Sequence, residues 1–379
     1  MKAASIVLFF CVTALLALGM VMLISSSTGL AITPKYLFLQ PVWCILGFLA
    51  CWLASLGDYR WFKKHAWLPW GLLILVCCLL VLVFVPHVGV RIKGASRWLK
   101  VGGFTVQPSE LAKIALILAL AWYGERFQRQ MGTFFKGIVV PGLFIGCVLG
   151  LIFFEPDVGS FLLMASVSSA MLLIAGIRLR FFLPPVILGM IAMGFFLYNN
   201  PMRSERIYSW LHVEETKQDK GMQAYQAMVA LGSGGVYGVG LGDGRQKHGF
   251  VPEHQTDFIY SVIGEELGLV ATMGVVLAFL AIVISGVYIA WNAQDTFGML
   301  LASGITFLIG LQAIINIGVV TGSLPNKGLS LPFISYGGSN LVVMLGCVGL
   351  LMNVARHGGS GEKLSRAFES EALSGAQIS

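Results

Sequence analysis

The sequence predicts an all-α polytopic integral membrane protein of about ten transmembrane helices, and three observations predict it. Of its 379 residues 57% are apolar and 11% charged, with mean hydropathy +0.82, a balance that a water-exposed globular surface does not carry. Runs of roughly 20 apolar residues, the length that crosses a hydrocarbon core about 30 Å thick, recur from the N-terminus onward. The basic residues are spread among short loops between those runs. The net charge of +7 therefore reads as topology and headgroup signals, and no nucleic-acid partner is expected.

Taken in order, the spans are expected at residues 5–25, 36–56, 66–85, 108–123, 137–154, 158–175, 181–198, 257–291, 297–320 and 335–355. The first is kept as a helix rather than a cleaved signal: it is long, lacks a small-residue cleavage site and leads into further spans. Arg60, Lys63 and Lys64, then Arg126, Arg129 and Lys136, then Arg178 and Arg180 fall on alternate connections, which marks them cytoplasmic; Arg356, Lys363 and Arg366 agree. Both termini are then cytoplasmic. Two conspicuous external loops remain, 86–107 and the large 199–256 between helices 7 and 8, and both are basic. Positive charge kept outside suggests an anionic ligand. Residues 1–356 are expected to form a single transmembrane domain and 357–379 a mobile cytoplasmic tail. All seven cysteines lie in apolar stretches, so no disulfide framework is implied.

Within the large loop, Met222, Tyr225 and Val229 recur at helical spacing opposite Gln223 and Gln226, which predicts a short amphipathic helix at the interface. The run that follows, LGSGGVYGVGLGDG at 231–244, lacks the preceding strand and the following Gly-Lys-Ser/Thr of a nucleotide loop. It suits close backbone packing or a flexible gating loop. Asp257 stands where a long apolar helix begins. Either it caps the first amides of that helix, or it is a carboxylate at the membrane boundary whose partial desolvation makes it a better base.

His248, Glu253, His254 and Asp257 match no zinc spacing, so no protein-held metal is expected. A divalent cation, Mg or Mn, on a substrate diphosphate needs only one or two carboxylates and is compatible; no organic cofactor is called for. Charges inside apolar segments are costly and mark candidate sites. Lys113 lies one turn beyond Glu110 on the same face, and either snorkels and pairs with it or is presented to a phosphate. Glu265 and Glu266 must face protein or a cavity. In the first external loop Arg91, Lys93, Arg97 and Lys100 surround Trp98, which is an interfacial anchor or a ring for a sugar beside cations for a diphosphate. Glu155 and Asp157 add two external carboxylates and Lys327 a further cation.

Five blocks in order, GASRWLKVGGFTVQPSELAK, EPDVGS, ALGSGGVYGVGLG, VPEHQTDFIYSVIGEELGL and NIGVVTGSLPNKGLSLPFISYGGSNL, resemble the SEDS family (shape, elongation, division and sporulation) over nearly the whole chain. The Gln246-Lys247 stretch and the last block look more like its division branch than its elongation branch. The resemblance implies a peptidoglycan glycosyltransferase of the bacterial cytoplasmic (inner) membrane, polymerising lipid II on the outer face. Its implied partners are lipid II and undecaprenyl-linked glycan, a class B penicillin-binding protein (the transpeptidase), and other divisome membrane proteins.

It also implies Asp257 as the catalytic base, and Trp98, Glu110, Lys113 and Lys327 match further family motif positions; with Arg97, a cation placed to neutralise the leaving diphosphate, they are the candidates around substrate and diphosphate. Lys247, His254, Glu155, Asp157 and Glu265 are further candidates. Two positions depart from the family pattern: Gln255 stands where histidine is usual, with His254 one step earlier, and Glu155 stands where glutamine is common. The expected chemistry is a single inverting displacement, in which Asp257 takes the proton of an incoming sugar hydroxyl and undecaprenyl diphosphate leaves. Rival readings are a lipid II flippase or transporter, for which a many-helix bundle with buried charge is equally natural, and a non-catalytic divisome scaffold.

Overall fold

The computed structural model describes residues 1–27, 35–86, 88–92, 95–101, 104–219, 221–245, 256–326 and 328–375. Each expected span coincides with a helix: α1 (Lys2–Ser27), α2 (Lys35–Leu56), α4 (Trp67–Leu82), α5 (Pro108–Arg126), α6 (Val140–Phe154), α7 (Val158–Ile174), α8 (Leu179–Asn199), α11 (Ile259–Trp291), α12 (Thr296–Val320) and α13 (Gly338–Gly375). Among the described residues seven helices are long and apolar enough to cross a membrane; α4 and α7 are shorter apolar helices, and α5 carries Glu110, Lys113, Glu125 and Arg126. A short helix α3 (Arg60–Lys64) lies between α2 and α4.

Local chemistry sets several boundaries. Pro108 opens α5, where a missing N–H costs nothing. Asp157 caps α7 by accepting from Ser160 N–H at 3.1 Å, and Asp295 caps α12 by accepting from Gly298 N–H at 3.0 Å. Inside the bundle α12 is the central element, buried along most of its length against α11, α5 and α7. α8 is its opposite and buries only Phe182. Phe10, Trp52, Leu188 and Leu277 belong to a belt of exposed large apolar side chains around the bundle, a surface that suits lipid rather than water.

Three features go beyond the sequence reading. The 86–107 connection is a three-stranded antiparallel sheet, β1 (Gly89–Ile92), β2 (Ala95–Val101) and β3 (Phe104–Val106), in the order β1-β2-β3. Val90 faces Trp98 and Leu99 faces Val106, and the two-residue connections in the sequence contain glycine, as hairpins favour. The large loop contains the expected amphipathic helix as α10 (Met222–Ser233), and also an unforeseen α9 (Pro201–Leu211). The stretch 357–379, expected as a mobile tail, continues α13 as helix to Gly375; its EKLSRAFESEAL sequence is rich in good helix formers, which outweigh the glycines before it.

Alternate connections gather at opposite ends of the bundle. At one end Lys63 reaches Glu125 and Asp295, and Asn353 of α13 donates to the Ala54 and Gly57 carbonyls. The other end carries the sheet, the 155–157 turn, α9, α10, the start of α11 and the 321–337 connection.

Candidate functional site

The sheet end is organised around two carboxamides on one face of α12. Gln312 and Asn316 are one helical turn apart, about 6 Å along the axis, and both are buried. Gln312 Nε2 donates to Ser330 O at 2.9 Å; Asn316 Nδ2 donates to Leu329 O at 2.6 Å and to Asp257 O at 2.8 Å. From α13, Asn340 Nδ2 adds a bond to Ser330 Oγ at 2.5 Å. The 328–337 segment is thus gripped from two helices, and Phe333 within it adopts the left-handed φ of 66°, a strain that such a grip sustains.

Asp257 lies in the turn just before α11, and the cap position is taken by Phe258. Its backbone is fixed by Asn316 while its carboxylate lies over Gly328: a Cβ there would come within 2.8 Å of Asp257 Oδ2. Glycine at 328 therefore leaves the space that the carboxylate occupies. The side chain is partly buried, between core and water.

Lys113 does not snorkel. It is 0% exposed, and its ammonium donates to both Glu110 oxygens at 2.8 Å and to Gln312 Oε1 at 3.2 Å. Its charge is spent inside the bundle, and a series of hydrogen bonds through Gln312, the 329–330 backbone and Asn316 runs from it to the Asp257 carbonyl. Arg97 of β2 is likewise engaged: Nε donates to Glu155 O at 2.8 Å and Nη2 to Pro156 O at 2.6 Å, fastening the sheet to the α6–α7 turn. Trp98 follows it on β2, partly buried.

At that turn the two carboxylates are treated differently. Asp157 Oδ1 caps α7 and its Oδ2 accepts from Gln107 Nε2 at 3.3 Å, which joins the turn to the start of α5. Glu155 is 0% exposed and neither of its oxygens has a hydrogen-bond partner among the described residues. Burial, then the nearby Asp157 charge, push its pKa up to about 8 against the opposing pull of Arg97. Glu265 lies in the first turns of α11, where its carboxylate accepts from Arg245 N–H at 2.8 Å. Lys247, His254 and Lys327 lie outside the described residues.

Sequence reasoning missed Gln312, Asn316, Gln107 and Gly328. The signal for the first two was present: polar side chains at i and i+4 inside an apolar span share a face and need partners. Gly328 carried none, because only the fold brings it against Asp257.

Comparison with known proteins matches residues 5–359 to the family model described as "Cell cycle protein", covering FtsW, RodA and SpoVE. Among curated relatives, the probable peptidoglycan glycosyltransferase FtsW of Geobacter metallireducens is 43% identical over 358 residues, covering 92% of this chain and 94% of that one. Stage V sporulation protein E of Bacillus subtilis is 37% identical over 356 residues, covering 90% and 94%. Among solved structures, a chain from a peptidoglycan synthase complex, described for its coordination of polymerization and crosslinking, superposes with TM-score 0.76 at 28% identity, covering 93% of this chain and 97% of that one. The rod shape determining protein RodA of Thermus thermophilus gives 0.69 at 28% identity, covering 92% and 95%.

Proposed function

Because this chain belongs to the FtsW/RodA/SpoVE family of cell cycle proteins, we propose that it is a multi-pass glycosyltransferase of the bacterial cytoplasmic membrane that polymerises lipid II into β-1,4-linked glycan, with Asp257 as general base. The sheet end faces outward in this reading, in keeping with the basic residues at the opposite end. The observation that carries it is the setting of Asp257: its backbone is locked by Asn316, and its carboxylate rests on a residue without a side chain. A partly buried carboxylate on a fixed stretch of backbone is what a base needs to meet a sugar hydroxyl.

The chemistry is a single displacement. Asp257 accepts the proton of the 4-hydroxyl of an incoming lipid II as that oxygen bonds to the anomeric carbon of the growing chain. The bond to undecaprenyl diphosphate breaks as the new one forms, and an α-linked donor becomes a β-linked product without a covalent enzyme intermediate. The leaving diphosphate needs cations. Lys327, adjoining Gly328 in sequence, and Trp98 are assigned to diphosphate and sugar; Arg97 and Lys113, already engaged by protein groups, shape the site and set its field. Mg or Mn enters only as a charge partner of the diphosphate. Among the described residues no three His, Cys, Asp or Glu side chains converge to hold a metal, and no step depends on one.

The relatives named FtsW support a role in division, with a class B penicillin-binding protein as crosslinking partner and other divisome membrane proteins nearby. The test is incubation of purified protein, with and without that partner, with labelled lipid II. Asp257→Ala is expected to keep the fold and abolish polymer. Polymer made by the pure variant removes the base; lipid II movement without polymer in wild type favours a flippase, and neither activity a scaffold.

A further inference from the structure

Between Leu267 and Leu269 the backbone of α11 leaves the helix: Gly268 takes φ 75° and ψ −169°, a conformation open to glycine alone. A break within a helix strands carbonyls before it and N–H groups after it. The glycine-rich segment 231–245 answers both. Val239 N–H donates to Glu265 O at 2.9 Å and Gly240 N–H to Glu266 O at 3.0 Å; Leu269 N–H and Val270 N–H donate in turn to Gly235 O at 3.0 Å and Val236 O at 3.2 Å. Only glycine permits this approach, since a Cβ on Gly234 would fall 1.9 Å from Gly264 O and one on Gly238 2.1 Å from Glu266 O.

The side chains of the same two glutamates then turn onto the segment. They are 3% and 1% exposed. Glu265 Oε1 accepts from Arg245 N–H at 2.8 Å, while Glu266 Oε2 accepts from Gly242 N–H at 3.2 Å and from the Ser25 hydroxyl of α1 at 2.5 Å. Apolar burial anchors only the start of the segment, where Leu231 packs against the core; Val236, Tyr237, Val239 and Leu241 all project outward. Beyond Leu231 its position rests on polar contacts with α11, and those to the two carboxylates are the strongest of these.

We propose that Glu265 and Glu266 are positioning residues for polymerisation: their carboxylates latch segment 231–245 across the break in α11 and so hold in place the first half of that helix, which starts just after Asp257. The proposal rests on the reading of Asp257 as base. Asp257 stands just before the α11 stretch Ile259–Leu267, whose last carbonyls and glutamate side chains hold the segment, so slack at the latch is passed along that helix toward the carboxylate.

The test pairs hydrogen exchange with lipid II polymerisation, both on the full chain in detergent. In Glu266→Ala and Glu265→Ala, exchange over 236–245 is expected to rise at least about tenfold, the loss of a charge-assisted hydrogen bond. Turnover is expected to fall about tenfold with KM for lipid II nearly unchanged, as for a displaced catalytic group. Glu266→Gln, which keeps an acceptor oxygen in place, restores most of both and guards against a folding defect. Asp257→Ala loses polymerisation yet keeps the protection, so failure of the base reading and failure of the latch are told apart. Wild-type exchange in both alanine variants, or raised exchange with wild-type turnover, overturns the proposal.

Discussion

The two ends of the bundle use the same residue types in opposite ways. At the Lys63 end, charges meet charges: Lys63 reaches Glu125 at 2.5 Å and Asp295 at 3.2 Å, and Asp295 also accepts from the Tyr59 hydroxyl at 2.9 Å while capping α12. At the sheet end, charges meet backbone. Arg97 holds two carbonyls, Glu265 and Glu266 hold N–H groups, and Asp257 rests against Gly328. Charges paired with one another tie helices together. Charges paired with backbone fix the course of a connection, and a connection held that way can shape a site without filling it.

Four substitutions break or sharpen this contrast. The largest effect is expected for Lys113→Met, the exception at the sheet end because it is a true buried ion pair. Leaving Glu110 charged and alone costs about 3–5 kcal/mol, and Glu110→Met in the same chain recovers much of it; thermal unfolding of the purified single and double variants reads both. Next comes Asn316→Ala, which frees the Asp257 and Leu329 carbonyls. About 3 kcal/mol of stability and about tenfold in turnover are expected to go together, since one amide serves both. A variant that unfolds more easily but polymerises at wild-type rate would detach Asn316 from the site.

Glu155→Gln probes the unpartnered acid. The folded protein holds this proton up to about pH 8, whereas the ordinary carboxyl value is 4.5. The folded state therefore binds more protons than the unfolded chain across that window, and stability falls as pH rises through it. Glutamine removes the titration, so the variant is expected to gain about 2 kcal/mol on wild type between pH 6 and 8, read as the difference in melting temperature. Parallel curves would mean that Glu155 is paired in solution. The smallest effect is expected for Lys63→Ala, less than about 1 kcal/mol because the pair is partly exposed, with polymerisation unchanged.

The helices were legible because burial in lipid demands long apolar runs, and each expected run coincides with a helix. The sheet at 89–106 was not, because four basic residues and a scatter of glycines read as a polar loop until strand pairing is seen. Asp257 was singled out from sequence; the amides that hold it were not, although Gln312 and Asn316 stood one turn apart in an apolar helix. Glu265 was placed among the candidates, but its partner, the glycine-rich segment, lies twenty or more residues upstream.

By itself the sequence determined a membrane bundle, the order of its spans and the residue types available at each connection, because hydropathy and charge act locally along the chain. Tertiary structure alone decided which charges are spent on partners and which remain at the site. That outcome depends on distances between segments far apart in sequence: a carboxylate caps a helix, pairs with a lysine or stays a buried acid according to the N–H groups and cations that folding brings to it.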